Sequence, residues 1–279
     1  MRKEKIIFIG TSSFALPALE NLIQEYQILA VVTAPDKPTG RKQELTPSPV
    51  KEIALKYGLS ILQPEKILDI KQKISKLEPD LIIVASYGQI IPQDILEIPK
   101  KNSLNLHPSL LPKYRGPSPI QIAILNGDQI TGLTIIQMDS KMDHGPIIIQ
   151  KETKINPDDT FQSLEARLAE EIADLIILTL PQYFKNKIEP QIQDESQVSY
   201  TKILTRDDGK IDLEQDPKKI ERKVRAFYPW PGTWTEINGQ RIKILKVKLK
   251  DNKLFLELVQ PAGKKPMTGE EFYRGQKWL

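Results

Sequence analysis

Residues 103–112 read SLNLHPSLLP, a pattern that predicts a buried strand ending in a functional loop. Asn105 and His107 are two positions apart, so both side chains project from the same face of an extended backbone. Pro108 has no N–H to donate and ends the strand, and Pro112 keeps the next segment a loop. Ligands of open α/β sheets bind at the carboxyl ends of the strands. We therefore expect an amide and an imidazole at the ligand-binding edge of a sheet.

A second polar segment supports this expectation. Residues 138–146, MDSKMDHGP, form a turn-rich loop between two apolar runs, and this loop can bring Asp143 beside His107. An amide, an imidazole and a carboxylate together suit general acid–base chemistry. A histidine beside an asparagine on a strand is also a common hydrogen-bonded structural pair, so from these residues alone both interpretations stay open.

The surrounding sequence predicts an α/β fold. An apolar run at 5–10, an amphipathic helix at 14–25 and an apolar run at 28–33 make a βαβ opening, which is typical of a doubly wound, mostly parallel, Rossmann-like sheet. Only Gly10 stands at the first turn, so the G-x-G-x-x-G fingerprint of nicotinamide cofactors is missing. The alternation continues with helices near 50–57, 67–77 and 119–125, strands near 60–62, 81–86, 132–138 and 146–155, and a long helix after residue 160.

Composition excludes several kinds of site. The chain has no cysteine, which excludes disulfides, thiolate nucleophiles and cysteine-ligated metals. The two histidines, His107 and His144, could hold a metal together with Asp143, but no further ligand at a metal-binding spacing is evident, and we expect no metal. The apolar runs are too short to cross a bilayer and the N-terminus lacks a signal-peptide pattern, so we expect a cytoplasmic chain without a membrane partner.

The positive charge is concentrated at the end of the chain. Residues 1–199 carry a net charge of −3, whereas residues 200–279 carry +7. This asymmetry indicates a polyanionic partner, with nucleic acid favoured over membrane because no basic amphipathic helix with a broad apolar face is evident. The alternative is an ordinary solvated, lysine-rich surface.

The two polar segments together resemble the 10-formyltetrahydrofolate-dependent formyltransferases. Residues 105–112, followed by Tyr114-Arg115-Gly116 and Pro119-Ile120-Gln121, resemble the family's signature, and residues 134–139 with 142–145 resemble its second block. The resemblance implies a catalytic trio of Asn105, His107 and Asp143, with 10-formyltetrahydrofolate as cosubstrate. It also implies a folate pocket lined by Ser109, Leu110, Leu111 and Pro112.

A second part of the folate pocket is expected after the strand at 81–86. The backbone of Ala85, Tyr87 and Gly88 can approach a flat heterocycle there, because Gly88 permits close contact. The alternative is a plain turn between a strand and a helix.

Two basic segments are candidates for nucleic-acid binding. Residues 34–47 form a long, proline-broken loop that carries Lys37, Arg41 and Lys42; it is either a mobile excursion or a basic finger for an anionic substrate. In family members that act on tRNA, a loop at this place reaches the acceptor arm. Residues 260–267 resemble the C-terminal domain of those members, which adds Lys264 and Lys265 as candidates.

These observations predict three parts of the chain: a formyltransferase catalytic domain at 1–186, a linker at 187–202, and a shortened, OB-like, tRNA-binding β-barrel at 203–279. The resemblance implies formyl transfer to the α-amino group of methionyl initiator tRNA, for translation initiation. We expect the protein to be a monomer. The alternatives are another formyltransferase or a hydrolase of the same family, and a non-catalytic RNA-binding protein. An oxidoreductase is disfavoured by the missing glycines.

Overall fold

A computed structural model describes residues 3–39 and 43–274. The chain divides into two compact units. Unit 1 comprises the described residues up to Arg115 together with Gly132–Thr153 and Glu165–Tyr200, and unit 2 comprises Gly116–Thr131, Lys154–Leu164 and the described residues from Thr201 onward. The domain boundaries predicted at 1–186, 187–202 and 203–279 stay a prediction.

The strands and helices follow the predicted alternation. The strands are β1 (Lys5–Gly10), β2 (Gln27–Val32), β3 (Lys37–Thr39), β4 (Glu44–Thr46), β5 (Ile61–Leu62), β6 (Leu81–Ala85), β7 (Ser103–His107), β8 (Ile130–Gln137), β9 (Ile147–Lys154), β10 (Thr233–Ile237), β11 (Gln240–Lys250), β12 (Lys253–Pro261) and β13 (Met267–Thr268). The helices are α1 (Leu16–Glu25), α2 (Pro49–Lys56), α3 (Lys71–Lys76), α4 (Gln93–Leu96), α5 (Pro119–Asn126), α6 (Phe161–Phe184), α7 (Pro217–Ala226) and α8 (Gly269–Arg274).

The main sheet has seven strands in the order β5-β2-β1-β6-β7-β8-β9. The first five strands in this order run parallel to one another, and β8 is antiparallel to β7. Strands β1 and β6 are buried along almost their whole length, which explains why their sequences are continuous apolar runs. The doubly wound, mostly parallel sheet predicted from the sequence is confirmed.

The loop predicted at residues 34–47 contains a short hairpin, so the prediction of an irregular segment was wrong in part. Strands β3 and β4 pair antiparallel, with Lys37 opposite Thr46. The hairpin escapes prediction because each strand has only three residues and Pro38 interrupts the first. Proline is tolerated here because a two-stranded hairpin has only edge strands.

Unit 2 contains a four-stranded antiparallel sheet in the order β10-β11-β12-β13. Two-residue turns connect β10 to β11 and β11 to β12. The turn residues, Asn238-Gly239 and Asp251-Asn252, all have positive φ, as two-residue hairpin turns require. Helix α7 buries Ile220 and Val224 in the core of this sheet. The predicted C-terminal antiparallel β unit is confirmed, whereas its closure into an OB-like barrel stays a prediction.

No helix within the described ranges is both long enough and apolar enough to cross a membrane.

Gly132 on β8 is expected to contribute to stability, because the absence of a side chain lets Leu110, in the turn after β7, pack against the sheet. A Cβ at this position would lie 2.3 Å from the Lys151 carbonyl oxygen and 2.4 Å from a Leu110 methyl carbon. Gly132→Ala should therefore lower the free energy of unfolding by about 1–3 kcal/mol in denaturant titrations. Gly88→Ala is the matched control, since a Cβ there meets nothing within 4 Å among the described residues. Equal stability of the two variants would contradict this packing.

Candidate active site

The candidate site lies at the carboxyl end of β7. This strand lies between parallel β6 and antiparallel β8, with Asn105 opposite both Val84 and Ile136. His107, at the last position of the strand, is 4 % exposed, and Asn105 is half-buried. The sheet thus places an amide and an imidazole at a carboxyl end of its strands, which is where α/β proteins bind ligands.

The structure brings the predicted trio together. The Asn105 side-chain amide donates to Asp143 Oδ1 at 3.1 Å, and His107 Nδ1 lies 3.7 Å from Asp143 Oδ2. Asp143 reaches this position from the connection between β8 and β9, in a left-handed backbone conformation with φ of 48°. The juxtaposition therefore matches the predicted trio, and the catalytic role of each member stays a prediction.

The partners of His107 determine which ring nitrogen is protonated. Nε2 lies 3.1 Å from the carbonyl oxygen of Tyr114. A carbonyl oxygen can only accept, so Nε2 carries the hydrogen in the neutral ring. Nδ1 is then the basic nitrogen, and it is the one that faces the Asp143 carboxylate. A proton taken up at Nδ1 would form an ion pair with that carboxylate.

A compact turn after β7 holds the Tyr114 carbonyl in place. The Ser109 hydroxyl is buried and donates to the carbonyl of Lys113 at 2.7 Å. Thr134 on β8 donates to the Ser109 carbonyl and accepts from the Leu111 N–H. The Ser109 hydroxyl, the Ser109 carbonyl and the Leu111 N–H thus all form hydrogen bonds within the protein. The predicted contribution of Ser109, Leu110, Leu111 and Pro112 to a folate pocket stays a prediction.

Ala85 is the last residue of β6, the parallel neighbour of β7, and Tyr87 and Gly88 follow this strand. The buried Tyr87 hydroxyl has no hydrogen-bond partner within the described part of the chain, and burial raises its pKa to about 12. A buried hydroxyl without a partner is costly unless a ligand supplies one. Gly88 adjoins open space, since a Cβ there would meet nothing within 4 Å among those residues.

Three residues that support the site were not predicted as such. Arg115 is completely buried, and its guanidinium donates to Gln193 Oε1 at 2.8 Å and to Glu195 Oε1 at 2.7 Å. This contact holds the pKa of the Glu195 carboxyl below its ordinary value. Arg115 is part of the family-like motif, whereas Gln193 and Glu195 lie in the segment interpreted as a linker, where no apolar periodicity marks them.

His144 takes a different place from His107. Its Nδ1 lies 2.6 Å from Asp139 Oδ2, and its Nε2 lies 3.6 Å from Glu195 Oε1. The two imidazoles therefore have separate carboxylate partners. In the part of the chain that the structure describes, no three histidine, aspartate or glutamate side chains are grouped to hold a metal ion.

The predicted nucleic-acid contacts are placed in part. Lys37 is exposed on β3 in unit 1, and Lys264 and Lys265 are exposed between β12 and β13 in unit 2. Arg41 and Lys42 lie outside the described residues. The exposed lysines are accessible to a polyanion, and their binding role stays a prediction.

Comparison with known proteins gives long matches. Residues 4–180 match the model of the formyl transferase family, and residues 203–254 match its C-terminal domain. The methionyl-tRNA formyltransferase of Thermodesulfovibrio yellowstonii is 42 % identical, over 98 % of this chain and 96 % of the relative. That of Roseiflexus castenholzii is 40 % identical, over 97 % of this chain and 96 % of the relative.

Solved structures share the fold. A methionyl-tRNA formyltransferase from Clostridium thermocellum superposes with a TM-score of 0.67 at 19 % identity, covering 92 % of this chain and 98 % of that one. A sugar 3N-formyl transferase, crystallised in the presence of dTDP and 5-N-formyl-THF, gives 0.70 at 22 % identity, covering 95 % of this chain and 100 % of that one. With two family models matched along the chain and relatives at 40 % identity and above over nearly its whole length, this chain belongs to the formyl transferase family.

Proposed function

We propose that this protein transfers the formyl group of 10-formyltetrahydrofolate to the α-amino group of methionyl initiator tRNA. The observation that carries the proposal is the convergence of Asn105, His107 and Asp143 at one sheet edge. Relatives that share about 40 % of the sequence over nearly the full chain are methionyl-tRNA formyltransferases, which favours this acceptor over others.

The trio has the groups that this transfer needs. The amine nitrogen of methionine attacks the formyl carbon, and the formyl oxygen gains negative charge as the new C–N bond forms. Asn105 uses one amide hydrogen for Asp143, and its second finds no acceptor among the described residues. That hydrogen can donate to the developing oxyanion, as can an imidazolium at His107.

His107 is suited to move the proton. The attacking amine loses a proton as the new bond forms, and Nδ1 of His107 accepts it beside the Asp143 carboxylate. The same proton then passes to the folate nitrogen as its bond to the formyl carbon breaks. The products are formylmethionyl-tRNA and tetrahydrofolate, and no covalent enzyme intermediate is required.

For the folate, we propose the surface between the turn after β7 and the segment Ala85–Gly88. The partnerless Tyr87 hydroxyl and the open space at Gly88 support a ligand there. For the tRNA, the exposed lysines Lys37, Lys264 and Lys265 support binding of phosphates.

The acceptor assay tests the function directly. Formyl transfer from 10-formyltetrahydrofolate should occur with methionyl initiator tRNA and be far slower with free methionine, because free methionine lacks the binding energy of the tRNA body. Release of formate without an acceptor would identify a hydrolase instead. Transfer to a nucleotide amino sugar but not to the tRNA would identify a sugar formyltransferase and overturn the proposal.

Replacement of the trio tests the roles of its members. His107→Ala and Asp143→Asn should each lower kcat by about 10²- to 10⁴-fold, because the first removes the proton acceptor and the second removes the charge beside it. The KM for tRNA should change little, since neither group is assigned to tRNA binding. Asp94→Asn, an exposed aspartate paired with Lys71, is the control and should keep full activity. Normal turnover by folded His107→Ala protein would remove His107 from the mechanism.

The lysine pair Lys264 and Lys265 provides a test of tRNA contact. Their joint replacement by alanine should raise the KM for tRNA several-fold and reduce the dependence of log KM on log salt by about 1–2. The KM for folate should not change. The control replaces two exposed lysines on α3, Lys73 and Lys76, with the same loss of charge. Equal effects of the two pairs would show that only net charge matters and would contradict a specific contact.

A further inference from the structure

Gln193 lies in the segment 187–202, which the sequence predicts to be a linker, yet its side chain is buried to 4 % exposure. Both the nitrogen and the oxygen of its side-chain amide form hydrogen bonds. Nε2 donates to the backbone carbonyls of Asp143 and Gly145, at 2.8 Å each. Oε1 accepts from Arg115 Nη2 at 2.8 Å and from Arg115 Nε at 3.1 Å.

Chemistry allows only one orientation of this amide. Backbone carbonyls can only accept hydrogen bonds, and a guanidinium can only donate them. Oε1 must therefore face Arg115, and Nε2 must face the loop that carries Asp143. Both amide hydrogens and both lone pairs of Oε1 are used, so any rotation of the side chain would leave buried polar groups without partners.

The loop that Gln193 holds needs an external restraint. Asp143 has a φ of 48°, a left-handed conformation that is uncommon for residues other than glycine, although aspartate adopts it more readily than most, and hydrogen bonds from its surroundings help to hold it. Gly145, two residues later, passes so close to β8 that a Cβ would lie 1.8 Å from the Gln137 carbonyl oxygen. The two carbonyls bound by Gln193 thus lie on either side of His144, at the point where the loop returns to the sheet.

We infer that Gln193 is a positioning residue for Asp143: anchored by Arg115, it sets the place of the Asp143 carboxylate beside His107 Nδ1. The inference rests on the proposed function and adds a residue to its site. Among the residues that the structure describes, the Gln193 side chain bonds only to Arg115 and to the two backbone carbonyls, so its effect on the reaction passes through the loop. A displacement of about 1 Å of a reacting group is enough to slow a reaction substantially.

Two substitutions distinguish the hydrogen bonds that the Gln193 amide donates from those that it accepts. Gln193→Met keeps the side-chain length but removes every hydrogen bond. Gln193→Glu keeps the acceptor for Arg115, removes the two donated bonds and places a negatively charged oxygen against the two carbonyls. Both should lower kcat for formyl transfer by about 10- to 100-fold, with the KM values for folate and tRNA changed less than about threefold. Gln197→Met is the matched control and should keep full activity, since Gln197 is exposed and its side chain bonds, among the described residues, only to Asp194.

A double-mutant cycle distinguishes positioning from general support of the fold. If Gln193 acts through Asp143, then Gln193→Glu should lower kcat less than about twofold in a protein that already carries Asp143→Asn. An equal fold loss with Asp143 present and with Asp143 replaced would overturn the inference, as would full activity of both Gln193 variants. If Gln193→Met fails to fold, Gln193→Glu alone completes the cycle. A wild-type protein without transfer activity would instead overturn the proposed function.

Discussion

The site depends on the burial of one guanidinium. Arg115 has no exposed surface, and a buried cation must be given acceptors by the chain itself. Its acceptors, Gln193 and Glu195, come from a segment nearly eighty residues later. That segment also pairs with the turn after β7, where the Ser199 hydroxyl accepts from the Tyr114 N–H. The segment that supplies acceptors to the buried Arg115 therefore also contacts Tyr114, whose carbonyl bonds His107, and the loop that carries Asp143.

The sheet positions two members of the trio, and hydrogen bonds from the segment 191–200 hold the loop that carries the third. The sheet sets Asn105 and His107, because Asn105 is paired on both sides, with β6 and β8, and His107 is paired with Thr134 of β8. The carboxylate comes from a loop, which has no such ladder and relies on side-chain hydrogen bonds. Proton transfer needs the carboxylate at a fixed place beside the imidazole, so the hydrogen bonds that hold this loop matter as much as the sheet does.

The apolar pattern predicted the doubly wound sheet, and the spacing around Pro108 predicted that Asn105 and His107 share its edge. Both succeed because buried strands and proline leave strong local signals. The role of residues 191–200 could not be predicted in this way. Gln193 and Glu195 act through hydrogen bonds to residues distant in sequence, and polar side chains near Pro190 have the composition of a linker. The β3–β4 hairpin was missed because three-residue strands carry too little pattern.

The Tyr114 carbonyl fixes the proton of His107 on Nε2 and leaves Nδ1 to face Asp143. The two histidines of the chain make this measurable by long-range ¹H–¹⁵N correlation spectra of the imidazole rings, recorded at a pH where both are neutral, with His144→Gln for assignment. We expect the Nε2–H tautomer for His107 and the opposite, Nδ1–H, for His144, which donates to Asp139. A neutral His107 ring protonated on Nδ1 would show that the Tyr114 carbonyl does not set the tautomer. The basic nitrogen would then be Nε2, which faces that carbonyl, and His107 could not accept the proton of the amine at Nδ1.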